Sequence, residues 1–368
     1  MKIICAQKDL TEGLNIVQKA VSVKSTLPIL KGILIETEGD HIKLTGNDLS
    51  LGIETRIPAT VEEPGSVVVS SKLFGDIVRK LPEESLTLVA DDKHHILIEC
   101  HHSSFDLLGQ SAVEFPELPA VEDQDTFDLN QDLLRGMIRQ TLFATSQDEA
   151  RPVLTGVLME ANDGEMSMVA IDGYRLALRK ASINPNIQKK AVIPGKTLNE
   201  LSRLMNGNAE DTVKISMSDK HILFEINTVK MVSRLLEGEF IKYNQIIPKE
   251  SKSIITVCTM DLNDAIERAS LLAREGKNSS IRFTIRDERM TIRSNVEIGS
   301  VKEELDIQLD GDDIEIGFNP RYLIDALKVM DSEKITIEMT TAVSPCVMKP
   351  TNTNSYLYLV LPVRMPGN

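Results

Sequence analysis

One ten-residue pattern occurs three times in the chain: Lys72-Leu-Phe-Gly-Asp-Ile-Val-Arg-Lys-Leu81, Lys196-Thr-Leu-Asn-Glu-Leu-Ser-Arg-Leu-Met205 and Arg321-Tyr-Leu-Ile-Asp-Ala-Leu-Lys-Val-Met330. The copies start 124 and then 125 residues apart, a domain-sized period. A chain of 368 residues therefore reads as three copies of one unit, 1–125, 126–250 and 251–368. The boundaries fall in two charged stretches, Val121-Glu-Asp-Gln-Asp-Thr126 and Lys249-Glu-Ser-Lys-Ser253. A second helical signature, D-L-x-x-[GA]-[LMI], begins at Asp9, Asp132 and Asp261, where a first-turn carboxylate suits the helix dipole. A third match, Pro28-Ile-Leu-Lys-Gly-Ile-Leu-Ile-Glu36 with Pro152-Val-Leu-Thr-Gly-Val-Leu-Met-Glu160, joins the first two copies; the third has diverged there to Ile281-Arg-Phe-Thr-Ile.

Between the helices the chain alternates apolar and polar residues in short runs broken by Gly, Asp and Asn, as in Leu86-Thr-Leu-Val, Val213-Lys-Ile-Ser-Met and Ile335-Thr-Ile-Glu-Met. Each unit is thus α+β, mostly antiparallel sheet with two helices. In the ten-residue helix Phe74, Ile77, Val78 and Leu81 make an apolar stripe. The other face keeps a basic, acidic, basic order in all three copies: Lys72, Asp76, Arg79; Lys196, Glu200, Arg203; Arg321, Asp325, Lys328. On one helix such a face is a solvated ion-pair ladder; repeated three times, it points to a shared surface.

The chain carries −14 overall, yet its six helical segments sum to +5 and the remainder to −19. Basic helices and acidic sheets in three like units suggest a curved array whose helical side faces a polyanion. Duplex DNA fits: Lys and Arg without a recognition-helix motif give phosphate contacts that position without reading sequence. Aromatics are 4% with no Trp, too few for stacking platforms on single-stranded bases.

Other classes are excluded. No apolar run approaches the roughly 20 residues of a membrane span, and Met1-Lys2-Ile3-Ile4-Cys5-Ala6 is no signal core, so the expectation is a soluble, cytoplasmic protein without membrane contact. Cys5, Cys100, Cys258 and Cys346 are too dispersed for a zinc knuckle and read as buried thiols. The cluster of Asp91, His94, His95, Glu99, His101 and His102 resembles a metal site, but Asp92-Lys93-His94 recurs as Asp219-Lys220-His221 without the other ligands, so a repeated hairpin turn is the better account. Asp310-Gly-Asp-Asp313 lacks calcium-loop spacing and reads as an acidic turn. With no phosphate loop, GxGxxG, HExxH or GxSxG, the expectation is no catalytic residue, no cofactor and no metal. A hydrolase using Asp172 and His221 finds no support in the repeats.

The residues Thr26-Leu-Pro-Ile-Leu30, Ala170-Ile-Asp-Gly-Tyr-Arg-Leu176, Phe318-Asn-Pro-Arg-Tyr322 and Tyr358-Leu-Val-Leu-Pro-Val-Arg364 carry a resemblance over essentially the full length. The chain resembles the bacterial sliding-clamp family, the β subunits of the DNA polymerase III holoenzyme. That resemblance implies a head-to-tail homodimer of six clamp domains, sheets outside and helices lining a central hole through which duplex DNA threads. It implies a non-catalytic processivity factor whose partners are double-stranded DNA, the DNA polymerase III alpha subunit, the clamp loader complex, and other polymerases and repair proteins.

Residue by residue, the resemblance places a peptide-binding pocket at Leu154, Ile171, Gly173, Tyr174, Arg175, Leu176, Ile241, Gln245, Ile246, Val360, Leu361, Pro362, Val363, Arg364 and Met365. An apolar cleft with an Arg at its edge suits the anchoring of a peptide's Leu or Phe. Ile241 and Gln245 stand where relatives have Pro and Arg, and Ile171 where they have Thr, which makes the rim more apolar; Pro366-Gly367-Asn368 extends past the usual end. DNA contacts fall to Lys24, Lys72, Arg79, Gln147, Arg151, Lys196, Arg203 and Arg321. The subunit interface falls to Phe105 and Leu107 against Leu271 and Leu272, with Glu297, Glu303 and Glu304 as acidic partners across the seam. The alternative from the residues alone is a repeat-built protein-interaction scaffold without a DNA role, its basic helices ordinary solvated faces.

Overall fold

The computed structural model describes residues 1–22, 25, 27–121, 126–184, 187–205, 210–275 and 280–364. Lys24, Met365 and the Pro366-Gly367-Asn368 ending lie outside the described residues. Among the described residues six α-helices alternate with strands: α1 (Gln7–Val17), α2 (Ser71–Val78), α3 (Gln131–Thr141), α4 (Gly195–Leu204), α5 (Thr259–Ala273) and α6 (Pro320–Leu327). Each repeat holds two of them, as the two helical signatures require.

The chain divides into two compact units, Met1–Asp132 with Lys196–Leu235, and Leu133–Gly195 with Leu236–Asn368. The middle repeat is therefore shared between them, and the cause is strand pairing. In the first unit an eight-stranded sheet runs Phe127–Asn130, Thr212–Met217, His221–Ile226, Val229–Arg234, Leu51–Pro58, His41–Asn47, Gly32–Glu38, Ser66–Ser70. Strands of the middle and first repeats join in it through Val229↔Thr55 to Ser233↔Leu51. A second sheet of the same unit runs Thr60–Glu63, Lys2–Ala6, Ser85–Ala90, His95–Cys100, Ser103–Leu108.

In the second unit a nine-stranded sheet runs Lys189–Pro194, Gly156–Asn162, Glu165–Ile171, Arg175–Ser182, Tyr356–Val360, Cys346–Pro350, Lys334–Met339, Ser253–Cys258, Gln308–Gly311. Here the middle repeat joins the last, from Arg175↔Val360 to Arg179↔Tyr356. A four-stranded sheet runs Gly299–Asp306, Arg289–Val296, Ile281–Arg286, Ile314–Phe318. Asp310 and Gly311, read from sequence as a turn, belong to an edge strand, with Gly311 at φ +114.

The repeats share a joint that no sequence pattern announces. The first residue of α1, α3 and α5 bonds twice to the chain between the end of the repeat's second helix and the start of the strand that follows it. Its backbone N–H goes from Gln7 to Glu84 O, from Gln131 to Asp211 O and from Thr259 to Glu333 O, at 2.9 to 3.0 Å. Its side chain donates from Gln7 Nε2 to Val78 O, from Gln131 Nε2 to Thr212 O and from Thr259 Oγ1 to Ser332 O. One helix-start donor that lacks an intrahelical acceptor is thereby satisfied in every repeat.

This joint corrects the alignment of the middle repeat by one residue. The buried stripe of α1 is Leu10, Gly13, Leu14 and Val17, and that of α5 includes Leu262, Ala265, Ile266 and Ala269. In α3 the buried residues are Gln131, Leu134, Met137, Ile138 and Thr141. Gly136 is thus not the counterpart of Gly13. A Cβ on Gly13 would sit 2.8 Å from Leu44 Cδ1 and 3.1 Å from Ile57 Cγ2, whereas one on Gly136 would meet nothing within 4 Å. In α2, Phe74 and Val78 are buried as expected and Ile77 is half-buried; Leu81, also buried, lies just past the helix end. Three of the four cysteines are buried; Cys258 is only partly so, at the start of α5.

The register makes opposite predictions for the two glycines. G136A raises unfolding free energy by about 0.5–1 kcal/mol, through helix propensity. G13V lowers it by about 1–3 kcal/mol, through overpacking. Chemical denaturation of both variants checks it; equal effects of the same sign would contradict the register.

Candidate functional sites

Asp172, Gly173 and Tyr174 turn the chain between two paired strands, with Ile171 opposite Leu176. Asp172 Oδ1 accepts from the backbone N–H groups of Tyr174 at 2.9 Å and Arg175 at 3.0 Å, and Gly173 takes φ +95, a conformation that suits a residue without Cβ. Arg175 does not reach outward from this turn. Its side chain is 8% exposed; Nε donates to Asp172 Oδ2 at 2.8 Å, one terminal nitrogen to Asp325 Oδ2 at 2.7 Å, and the other to Phe143 O at 2.9 Å. The guanidinium lies 4.6 Å from the Tyr322 ring centre and 5.5 Å from that of Phe143. Burial disfavours its charge, but the bond to Asp325 and the proximity of Asp172 outweigh that, so its pKa is raised. Of the two Arg residues expected at the pocket, Arg175 is an internal brace and Arg364 is exposed.

Leu154, Ile171 and Leu176 belong to one buried cluster with Phe240, Tyr243 and Leu359, against which Val153, Leu236 and Ile247 pack. Val360 is buried at the end of its strand; beyond it Leu361 N donates to Tyr174 O and Val363 N to Gly317 O, both at 2.8 Å. Tyr174 is 60% exposed, Ile246 41%, Ile241 38% and Leu361 37%. Gly173, Gln245 and Arg364 are exposed, and Pro362 and Val363 half-buried. The structure thus sorts the expected pocket residues into a buried apolar floor and an exposed, mostly apolar rim.

Sequence reasoning missed Asp172, Asp325, Phe143 and Tyr322 as partners of the brace, and Phe240 and Tyr243 in the floor. Asp172 was within reach, lying inside the Ala170–Leu176 motif beside Arg175. Asp325 gave a misleading signal, since its place in the basic, acidic, basic pattern assigned it to the surface shared by the three helices.

The cations expected to meet DNA divide likewise. Lys72, Arg151 and Arg321 are exposed and form no ion pair among the described residues, and Gln147 is exposed. Arg321 opens α6 just after the cap in which Asn319 Oδ1 accepts from its backbone N–H at 3.0 Å. Arg79 is held by Asp76 at 2.8 Å, Gln18 at 3.0 Å and Asn15 at 3.2 Å; Gly75 makes room for this, because a Cβ there would sit 2.3 Å from Gln18 Nε2. Lys196 pairs with the largely buried Asp48, and Arg203 with Glu200 at 3.3 Å. Their charge is partly cancelled inside the chain.

Of the interface candidates, Phe105 and Leu107 lie on Ser103–Leu108, the last strand of its sheet, and Phe105 and the unpredicted Leu108 are exposed. Leu271 is exposed and Leu272 half-buried on α5. Glu303 and Glu304 lie on Gly299–Asp306, also the end of a sheet, and Glu297 in the exposed turn before it. Glu303 already accepts from Arg268 at 2.7 and 3.0 Å and Glu304 pairs with Lys302 at 2.8 Å, which lowers both carboxyl pKa values through those hydrogen bonds. Their acidity is directed first at neighbours in their own chain.

The histidine cluster resolves into the β-turn expected. Asp91 Oδ1 accepts from the N–H groups of Lys93 and His95 at 2.8 Å, and His94 sits at φ +65. Among the described residues no His, Cys, Asp and Glu group could hold a metal ion, and no helix is long and apolar enough to cross a membrane.

Floor and rim separate in energy. L154A lowers unfolding free energy by about 2–4 kcal/mol, since it empties a buried site. Y174A stays within about 0.5 kcal/mol of the parent, because the ring is mostly in water. Thermal and denaturant melts of the two variants check this.

Three family models match successive parts of the chain: the DNA polymerase III beta subunit N-terminal domain over residues 1–119, the central domain over 128–242 and the C-terminal domain over 244–364. The chain is 41% identical to the beta sliding clamp of Halalkalibacterium halodurans, over 96% of this chain and 97% of that one. It superposes on the DNA polymerase sliding clamp of Bacillus subtilis with TM-score 0.96 at 38% identity, covering 99% of both chains. It superposes on the sliding clamp of Pseudomonas aeruginosa bound to griselimycin with TM-score 0.93 at 27% identity, covering 99% of this chain and 100% of that one. With every repeat matched in order and the whole fold reproduced, the chain belongs to the DNA polymerase III beta subunit family, the bacterial sliding clamps.

Proposed function

We propose that two copies of the chain close head to tail around duplex DNA and act, without catalysis, as a mobile tether for the replicative polymerase. The repeat units 1–125, 126–250 and 251–368 are its three domains, helices inward and sheets outward, and its compartment is the cytoplasm. The observation that carries this reading is that two sheet edges, each paired on one side only, have exposed apolar groups at them: Ser103–Leu108 with Phe105 and Leu108, and Gly299–Asp306 with Leu271 on the packed helix α5. An open strand edge with exposed apolar side chains on it or beside it is an aggregation liability unless a partner covers it. Head-to-tail pairing of the two covers both and gives two like seams per closed ring.

DNA contact rests chiefly on Lys72, Arg151 and Arg321 with Gln147, because these side chains keep their polar groups for a ligand. Arg79, Lys196 and Arg203 contribute less, each being held by its own chain. Client proteins dock short apolar segments on the rim formed by Tyr174, Ile241, Ile246 and Leu361 over the floor of Leu154, Ile171, Leu176 and Val360. Ile241 and Gln245 make that rim suited to an apolar rather than an acidic flank. The polymerase alpha subunit, the clamp loader, other polymerases and repair proteins are the clients.

The test is retention on nicked circular DNA after loading by the clamp loader with ATP, read by gel filtration before and after linearisation. Retention on circles and loss from linear DNA is expected; equal retention on both would mean ordinary affinity and sink the topological reading. Salt titration of direct DNA binding separates the cations. R151A or R321A lowers the log–log salt slope by about 0.9 each, as for one phosphate contact. K196A and R203A change it by less.

A further inference from the structure

We propose that Asp325 on α6 is the positioning residue of the peptide pocket, acting through Arg175 to fix where the Asp172–Tyr174 turn presents its rim. The inference rests on the pocket reading above and goes beyond it, since neither the resemblance nor the pocket's own residues include Asp325.

The argument starts from how the turn is held. The bonds of Asp172 to Tyr174 N, Arg175 N and Arg175 Nε are all local and fix only the turn's internal shape. Beyond the strand pairing that ends at Arg175↔Val360 and the bond from Leu361 N to Tyr174 O, its side-chain anchors to the rest of the second unit are the remaining guanidinium bonds, to Phe143 O and to Asp325 Oδ2, a residue 150 positions away. Of these two, the bond to Asp325 is between full charges and is shorter, 2.7 against 2.9 Å, so it is the stronger constraint. Planar, forked donors are what allow one side chain to join three elements, and Lys in that place has no such fork.

The next link is from Arg175 to the rim. Tyr174, its chain neighbour and the most exposed apolar group of the pocket, lays its ring on Tyr322 of α6, with ring centres 6.1 Å apart and planes 24° apart. Arg175 covers Tyr322 as well, and Tyr322 O accepts from Tyr358 Oη at 2.7 Å. Tyr174 O in turn accepts from Leu361 N, the other side of the rim. A change at Asp325 is therefore transmitted through Arg175 to Tyr174 and through Tyr174 to Leu361. The chain from α6 to rim is continuous in hydrogen bonds and ring contacts.

The experiment uses the full-length protein and a fluorescein-labelled hexapeptide ending in a Leu-Phe pair, with binding followed by anisotropy. D325N and R175K are each expected to weaken binding about fivefold or more. The double variant is expected to bind no more than about twofold worse than the weaker single, as for two residues that act as one unit. D325E, which keeps the carboxylate, is expected to restore most of the affinity and serves should D325N fold poorly. Since the chain has no Trp, a Y174W protein carries one indole on the turn. Its emission anisotropy is expected to fall when D325N is added, a loosening that a purely global loss of stability does not produce below the melting range. If the parent protein binds the peptide and D325N matches it, or if the two single effects multiply, the inference is overturned alone. If the parent does not bind, or Y174A binds as well as the parent, the pocket reading and this inference fall together.

Discussion

Antiparallel pairing of strands from neighbouring repeats is the constraint on which the rest of the structure depends. Each repeat could have closed its own sheets; instead Leu51–Pro58 accepts Val229–Arg234, and Arg175–Ser182 accepts Tyr356–Val360. A continuous ladder pairs the backbone of the two repeats directly and buries side chains on it, among them Leu176, Leu178 and Leu359. The cost appears at the sheet edges, among them Ser103–Leu108 and Gly299–Asp306, each paired on one side only. In the proposed ring those edges repeat between chains what the internal seams do within one.

The candidate pocket sits where the second seam ends. Arg175 opposite Val360 is its last pair, after which one strand turns through Tyr174 and the other leaves through Leu361. Floor residues are fixed by the sheet and its core, so they have little freedom to adapt; rim residues hang on a turn and a tail. A turn with exposed apolar groups would be loose on local bonds alone. Arg175, buried between two carboxylates and two rings, supplies the missing anchor, and its burial is tolerable only because both carboxylates are present. The same economy governs the helices, where internal pairing of Arg79, Lys196 and Arg203 leaves only some of the cations for a polyanion.

Much of this was legible in the chain. The ten-residue repeat gave α2, α4 and α6, and the alternating runs after it gave the strands Ser85–Ala90, Thr212–Met217 and Lys334–Met339. What sequence could not give were relations between distant residues. A pattern match set Gly136 beside Gly13 because both follow Asp-Leu, but burial set the register of α3 one residue later, through Leu134 and Met137. Asp325 matched Asp76 and Glu200 in the repeat and was read with them, yet only in the last repeat does a buried Arg stand within reach. Lys196 looked free because Asp48 lies 148 residues earlier in the chain. Charge patterns report composition of a face; which charges are already partnered is a tertiary fact.

The central claim, that the two unpaired edges are completed by a second copy of the chain, is tested most directly by amide hydrogen exchange on Ser103–Leu108 and Gly299–Asp306 across a dilution series. Protection of both strands at the level of interior strands, lost together as the protein is diluted into monomers, is the result predicted. Edge-like exchange of either strand at every concentration would contradict it.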